Sequence, residues 1–132
     1  MPISIRMDLA RRVRYAIATG VITDADILED YAGVLSDPAY DHSVDEIFDG
    51  KDIERLEITS ATVWEIAQVV ARTDRTISQG ARPKVAIVAP SDATFGLARM
   101  FQAYREAQRS PKQYLVCRTV DEAHRWLGLP DD

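Results

Sequence analysis

The feature that most constrains the fold is an unbroken apolar run, Val85–Ala89, which lies between a loop at Gln79–Pro83 and Pro90. Five consecutive apolar residues without polar alternation are typical of a strand that is buried on both faces. Such strands occupy the centre of parallel sheets, and parallel strands need long crossovers, usually helices, to connect them. The run therefore predicts an α/β fold with helices packed on the sheet.

The start of the chain predicts a β-hairpin. Apolar and polar residues alternate in two runs, Ile3–Met7 and Val13–Ile17, with a short polar break between them. Alternation with period two indicates strands that have one buried face. The other face of the hairpin carries Arg6, Arg12 and Arg14, which we expect to be solvated. A docking stripe for an acidic partner is the alternative interpretation of these arginines.

Strands and helices alternate through the rest of the chain. The further predicted elements are a helix capped by Thr23, a strand ending at Asp49-Gly50 with a polar connection Lys51–Glu57 after it, a helix capped by Thr59 or Ser60, the Val85–Ala89 strand, a helix capped by Ser91, a strand containing Leu115–Cys117, and a helix through Val120–Leu127. The predicted order is β-β-α-β-α-β-α-β-α. We therefore expect a single domain, residues 1–132, with a mixed, mostly parallel five-stranded sheet and four helices.

Composition restricts the class of protein. The 132 residues suit one domain, and a hydrophobic content of 46% supplies one core. The net charge of −5 argues against nucleic-acid binding, which needs clustered cations. Cys117 is the single cysteine, so no intramolecular disulfide can form. No apolar run approaches the roughly 18 residues of a membrane span, and the first residues lack the apolar stretch of a signal peptide. We expect a cytoplasmic protein without stable membrane insertion.

No catalytic or metal-binding signature is recognisable in the sequence. It contains no glycine-rich phosphate loop, no nucleophile-elbow serine motif and no paired His or Cys zinc motif. Asp49, Asp52 and Glu54 carry oxygen ligands that suit a divalent cation, but their spacing matches no metal-binding loop, and we interpret them as turn residues. We expect a protein that is not an enzyme and that uses neither a cofactor nor a metal.

The segment after the central strand is a candidate anion site. Ser91, Asp92 and Thr94 open a helix at the carboxyl edge of the sheet, where open α/β sheets bind ligands. Backbone N–H groups at a helix start can hold a phosphate or a carboxylate, and Arg99 would complete the site if its side chain turned back. The alternative interpretation is that Ser91 only caps the helix.

The chain resembles the SpoIIAA-like family, the small STAS/SEC14-type domains of bacteria. The resemblance spans most of the chain and rests on Val85–Pro90, on Phe95–Met100, on Asp121–Leu127, and on Gly20–Thr23 before an acidic helix start. It implies a SpoIIAA/STAS-like fold and a non-catalytic regulatory or protein-interaction domain whose protein partner is unknown.

The resemblance also implies a candidate site of phosphorylation. In some relatives a serine at a helix start, within an Asp-Ser-Ser-Gly-like turn, is the phosphoacceptor. Here the corresponding residue is Ser60, with Thr59 as the second candidate, while Thr59 and Ala61 stand where those relatives have aspartate and glycine. Helix capping is the alternative role. A phosphate on Ser60 would add nearly two negative charges near Asp49 and Asp52.

The SEC14 side of the resemblance implies a different function, that of a carrier of a small apolar or anionic ligand beneath a mobile helix. The candidate residues for an apolar pocket or a dimer face are Trp64, Phe95, Met100, Phe101 and Tyr104. Core packing is one alternative role for these side chains. A symmetric homodimer through the Phe95–Tyr104 helix is the other, because it would also cover a wide apolar face.

Overall fold

The computed structural model describes residues 2–130, and within this range the chain forms five strands and four helices. The strands are β1 (Ile3–Asp8), β2 (Val13–Thr23), β3 (Asp45–Glu57), β4 (Lys84–Val88) and β5 (Gln113–Cys117). The helices are α1 (Ala32–Ser36), which continues a π-helical segment at Asp26–Tyr31, then α2 (Ser60–Thr73), α3 (Asp92–Ala107) and α4 (Val120–Leu127). The predicted α/β class and element order are confirmed.

The sheet is mixed, and its strand order follows the chain order from β1 to β5. β1 and β2 form the antiparallel hairpin, with Ile3 opposite Ala18, and every later neighbour is parallel. Crossovers between parallel strands are almost always right-handed, so successive crossovers in one direction place their helices on the same face. Helices α1, α2 and α3 accordingly pack on one face of the sheet, and α4, which follows the last strand, packs on the other.

Each face of the sheet has its own apolar core. The core under α1 to α3 contains the buried residues Ile3, Ala16, Ala18, Ile22, Ile27, Tyr31, Ala32, Leu35, Ile66 and Val70. The core under α4 contains Val13, Tyr15, Ile47, Ala86, Val88, Cys117 and Ala123. The central strands therefore contribute side chains to both cores, as the apolar run at Val85–Ala89 predicts.

The hairpin arginines are not a uniformly solvated set, and this expectation was wrong for Arg14. Because β2 is covered on both faces, the Arg14 side chain is buried, with Nε 2.9 Å from Glu46 Oε1 and the guanidinium over the ring of Tyr40. Arg6 and Arg12 are exposed. Alternate side chains of β2 therefore point into the two cores, and not into one core and into solvent.

Strands β2 and β3 are longer than predicted. The segment Lys51–Glu57, predicted as a polar connection, continues β3 and pairs with the end of β2, where Ile22 lies opposite Leu56. Register shifts near Ile17 and Gly20 mark bulges, which bend and twist paired strands. β4 pairs with β3 only as far as Asp49, so the rest of β2 and β3 forms a two-stranded ribbon beyond the parallel sheet.

Gly50 lies at the point where this ribbon leaves the sheet. A Cβ atom at Gly50 would lie 2.6 Å from the backbone oxygen of Val88 and 3.1 Å from Cδ1 of Ile53. Real Cβ atoms do not approach backbone oxygens this closely, so the β3–β4 contact requires glycine. Gly96 in α3 is different. A Cβ there meets no atom within 4 Å among residues 2–130, apart from its own helix backbone and chain neighbours.

Candidate functional site

An apolar cavity of about 140 Å³ lies between the sheet and helices α1, α2 and α3. Its walls come from every element on this face of the molecule. The ribbon contributes Ile22, Ile53 and Leu56; the π-helical segment contributes Ile27 and Tyr31; α2 contributes Val63, Ile66 and Val70; α3 contributes Leu97, Ala98 and Phe101. An engineered apolar cavity of about 150 Å³ in another protein binds benzene, so this space suits a molecule of that size.

The spacing of apolar residues in α3 determines which of its side chains line the cavity. Apolar residues repeat at helical spacing in α3, and this places Leu97, Ala98 and Phe101 over the sheet. Ala98 is short, so it fills little of the space beside Phe101. The curled ribbon closes the opposite side with Leu56 and Ile58, both partly buried against the same core. The short Ala98 and the ribbon that extends past the sheet therefore both border the cavity.

The cavity ends in polar groups at the amino edge of the parallel strands. Glu46 at the start of β3 and Lys112 just before β5 both line it, and both are buried. Glu46 Oε1 accepts a hydrogen bond from Arg14 Nε at 2.9 Å and another from the hydroxyl of Tyr40. Arg14 Nη1 also donates to the backbone oxygen of Asp41 at 2.5 Å. The Glu46 charge is thus neutralised inside the fold.

Lys112 is paired with a histidine rather than with a carboxylate. Its Nζ lies 3.0 Å from Nδ1 of His42, while Nε2 of His42 lies 2.9 Å from the backbone oxygen of Leu35. These partners assign Nε2 as the protonated nitrogen and Nδ1 as the acceptor. Burial lowers the pKa of Lys112 to about 8. Burial and the Lys112 charge also lower the pKa of His42, so the imidazole is neutral at neutral pH.

Arg105 supports this end of the cavity from α3. Its side chain is completely buried, and its Nη2 lies 2.6 Å from Asp74 Oδ1 and 2.8 Å from Ser110 Oγ. Its Nε donates to the hydroxyl of Tyr114, which lines the cavity, at 2.9 Å. Burial raises the pKa of Tyr114 to about 12, so this phenol stays protonated. The polar end of the cavity is therefore backed by a hydrogen-bonded network around Arg105.

The phosphoacceptor candidates lie at the start of α2. Thr59 is the N-cap residue, and its side chain accepts a hydrogen bond from the backbone N–H of Thr62 at 3.3 Å. Asp24 Oδ1 holds the same turn, because it accepts from Thr59 N and from Thr62 Oγ1 at 2.6 Å. Ser60 is the first residue of the helix and is exposed.

Three of the anion-site candidates, Ser91, Asp92 and Thr94, lie at the start of α3, where Ser91 and Thr94 bond to each other. Ser91 Oγ lies 2.7 Å from Thr94 Oγ1 and accepts from the backbone N–H of Thr94, as an N-cap does. Asp92 is exposed and forms an ion pair with Arg118 at 2.9 Å. Arg99 is exposed on the helix. Arg118, which the sequence did not single out, is the cation at this helix start.

The five candidates for an apolar pocket or dimer face do not form one cluster. Phe101 lines the cavity and packs edge-on against Tyr114. Trp64 is half exposed on α2, and the guanidinium of Arg118 lies over the ring of Phe95 at 4.0 Å. Met100 and Tyr104 are partly buried on α3.

The charged end of the cavity was missed by the sequence reasoning, which looked for ligands at the carboxyl edge of the sheet. Lys112 follows Ser110-Pro111 and is typical of a loop residue, and His42 lies in a turn. The sequence indicates only the location of Lys112. Because Lys112 directly precedes an apolar strand, it must lie at the edge of the sheet where that strand begins. Burial of both side chains depends on loops folding over this edge, which no local pattern indicates.

Other reactive groups lie away from the cavity's polar end. Cys117 is buried, and burial raises the pKa of its thiol to about 11, so it is not a thiolate at neutral pH. Lys51 pairs with Asp49 at 2.9 Å and with Asp52 at 3.3 Å. His124 is partly buried, with Nε2 3.2 Å from the hydroxyl oxygen of Tyr15.

Residues 2–130 contain neither a metal-binding cluster nor a membrane-spanning helix. No three His, Cys, Asp or Glu side chains are grouped so as to hold a metal ion. No helix in this range combines the length and the apolar character that crossing a bilayer requires.

A solved structure with a similar fold is an uncharacterized protein of the DUF3478 family with a SpoIIAA-like fold, from Shewanella loihica PV-4. The two chains superpose with a TM-score of 0.53 at 13% sequence identity, and the match covers 95% of this chain and 91% of that one. At this identity the likeness shows the fold alone, and it confirms the predicted SpoIIAA-like architecture. No protein-family model and no curated protein matches the chain.

Proposed function

We propose that this chain is a non-catalytic binding domain whose cavity holds one small, largely apolar molecule. The observation that carries the proposal is the cavity of about 140 Å³ beneath α3, with apolar side chains on its walls and charged groups at one end. Ligand sites in proteins are typically concave and apolar with a few convergent polar groups. The polar groups at this site form hydrogen bonds with one another. This arrangement suits selective binding of a ligand more than catalysis.

Filling the cavity tests this function. We expect the larger side chain of Ala98→Leu to fill part of the cavity beside Phe101 and to abolish ligand-dependent stabilisation. Benzene is a suitable probe, and binding to the folded state alone stabilises a protein by about 2.7 kcal/mol at a hundred times Kd. The measurement is thermal unfolding of the wild type and the variant with and without benzene.

The matched control is Ala103→Leu, which adds the same side chain to an exposed position of the same helix. It should keep the wild-type response to benzene. Equal stabilisation of the Ala98→Leu variant and the wild type, or none in the wild type, would contradict a ligand cavity at this place.

A regulatory, protein-interaction function is the second candidate, and one observation favours it. Ser60 and Trp64 are both exposed and lie one helical turn apart on α2. An exposed aromatic side chain beside a hydroxyl at a helix start suits a surface that phosphorylation modifies. Intact-mass and peptide mass spectrometry of the protein isolated from its own cells tests this. Phosphate on Ser60 would support it, and a Ser60 peptide that is unmodified under all growth conditions would count against it.

A further inference from the structure

We propose that the ligand of the cavity is a monocarboxylate with a small apolar body, whose carboxylate is bound by Lys112. This inference rests on the proposed function and specifies the head group of the ligand. It starts from the position of Lys112, which lines the cavity with only 7% of its surface exposed. A buried ammonium group is costly unless an anion or several acceptors compensate it.

The charges around Lys112 leave one positive charge uncompensated. Glu46 pairs with Arg14 at 2.9 Å, and Asp74 pairs with Arg105 at 2.6 Å. The two carboxylates that face Lys112 are therefore each paired with an arginine. The partner of Lys112 Nζ is His42 Nδ1, a neutral acceptor. Three cations thus share two carboxylates, and an anionic group in the cavity would complete the set.

The neighbouring groups narrow the chemistry of that anion. Tyr31, Tyr40 and Tyr114 stay protonated, because burial raises the pKa of each phenol, so none of them supplies the missing charge. One uncompensated cation matches a monoanion, whereas a phosphate monoester carries nearly two negative charges. An ammonium ligand would add a further buried cation. A carboxylate accepts charge-assisted hydrogen bonds from a lysine and carries a single charge.

The size of the cavity limits the rest of the molecule. The space is close to that of a cavity that binds benzene, so the apolar body is about one ring or about six carbons. The carboxylate would lie at the amino edge of the sheet beside Lys112, and the apolar body would extend between Phe101 on α3 and Ile53 on the ribbon. A long-chain fatty acid shares the head group and exceeds this volume.

Isothermal titration calorimetry with benzoate, benzyl alcohol and benzylamine tests the head group, since the three probes share one ring. We expect the wild type to bind benzoate roughly tenfold to a hundredfold more tightly than benzyl alcohol, and benzylamine most weakly. Lys112→Met should remove the preference for benzoate and leave the affinity for benzyl alcohol within about twofold. Dodecanoate in place of benzoate separates a small acid from a fatty acid, and tighter binding of dodecanoate would overturn the small-body assignment.

Lys51→Met is the matched control, because Lys51 is exposed and does not line the cavity. It should bind all three ring probes as the wild type does. Equal binding of benzoate and benzyl alcohol by the wild type would overturn the carboxylate assignment while the proposed function stands. Failure of every probe to bind would instead refute the proposed function. If Lys112→Met does not fold, Lys112→Gln replaces it in the titrations. The comparison of the three probes in the wild type then still tests the preference for a carboxylate.

Discussion

At the scale of single residues, Lys112 is a buried ionisable group. Its effect on the free energy of unfolding can be measured from the pH dependence of stability. Burial lowers the pKa of Lys112 to about 8, whereas the unfolded chain titrates near 10.5. Between these values the unfolded state binds a proton that the folded state lacks, so the free energy of unfolding rises with pH. We expect a slope of up to about 1.4 kcal/mol per pH unit from this group, which fades below about pH 7 where Lys112 is protonated in both states.

Urea unfolding from about pH 7 to about pH 9.5 measures this slope in the wild type and in Lys112→Met. The charged or titratable groups that face Lys112 are His42 from the loop before β3, Glu46 from β3, Arg14 from β2, Asp74 from the turn after α2, and Arg105 from α3. His42 is neutral throughout this range, because its pKa is lowered. The variant should lose the rise in stability, and identical pH profiles for the two proteins would contradict a buried, titrating Lys112.

At the scale of elements, two glycines should respond oppositely to the same substitution. Gly50→Ala places a Cβ against the backbone oxygen of Val88 at the β3–β4 contact, so we expect a loss of about 1 to 3 kcal/mol. Gly96→Ala meets open space in the middle of α3, so we expect a gain of about 0.5 to 1 kcal/mol. Urea unfolding compares both variants with the wild type. An unchanged Gly50→Ala protein would show that β3 and β4 are less closely packed than described.

The elements themselves were largely predictable from sequence, and the exceptions have a physical cause. The run Val85–Ala89 indicated a strand buried on both faces, and Ser91 capped the following helix as expected. The ribbon was missed because Lys51–Glu57 is rich in charged residues, and its strand conformation depends on pairing with the end of β2, not on local preference. Ile53 and Leu56 are three residues apart, with Glu54 and Arg55 between them, so the segment lacks the period-two alternation that indicates a strand.

At the scale of the whole molecule, the arrangement of the helices on the sheet creates the candidate site. The order of the predicted elements along the chain does not indicate where this site lies. The chain order of the strands places three helices on one face, and the cavity opens beneath them where α3 presents Ala98. The sequence reasoning identified Phe101 but not the polar end formed by Glu46 and Lys112. These two residues lie in different segments, and only the parallel sheet brings their strand starts to the same edge.

The central claim, that the cavity holds a small apolar molecule, is tested most directly by a two-dimensional ¹H–¹⁵N NMR titration with benzene. We expect saturable shift changes concentrated at cavity residues of three separate elements, such as Phe101, Ile53 and Val70, with little change in α4 on the opposite face. The Ala98→Leu variant should show no such changes. Shifts that are absent in the wild type, or that concentrate on α4 or the β1–β2 hairpin, would contradict the account.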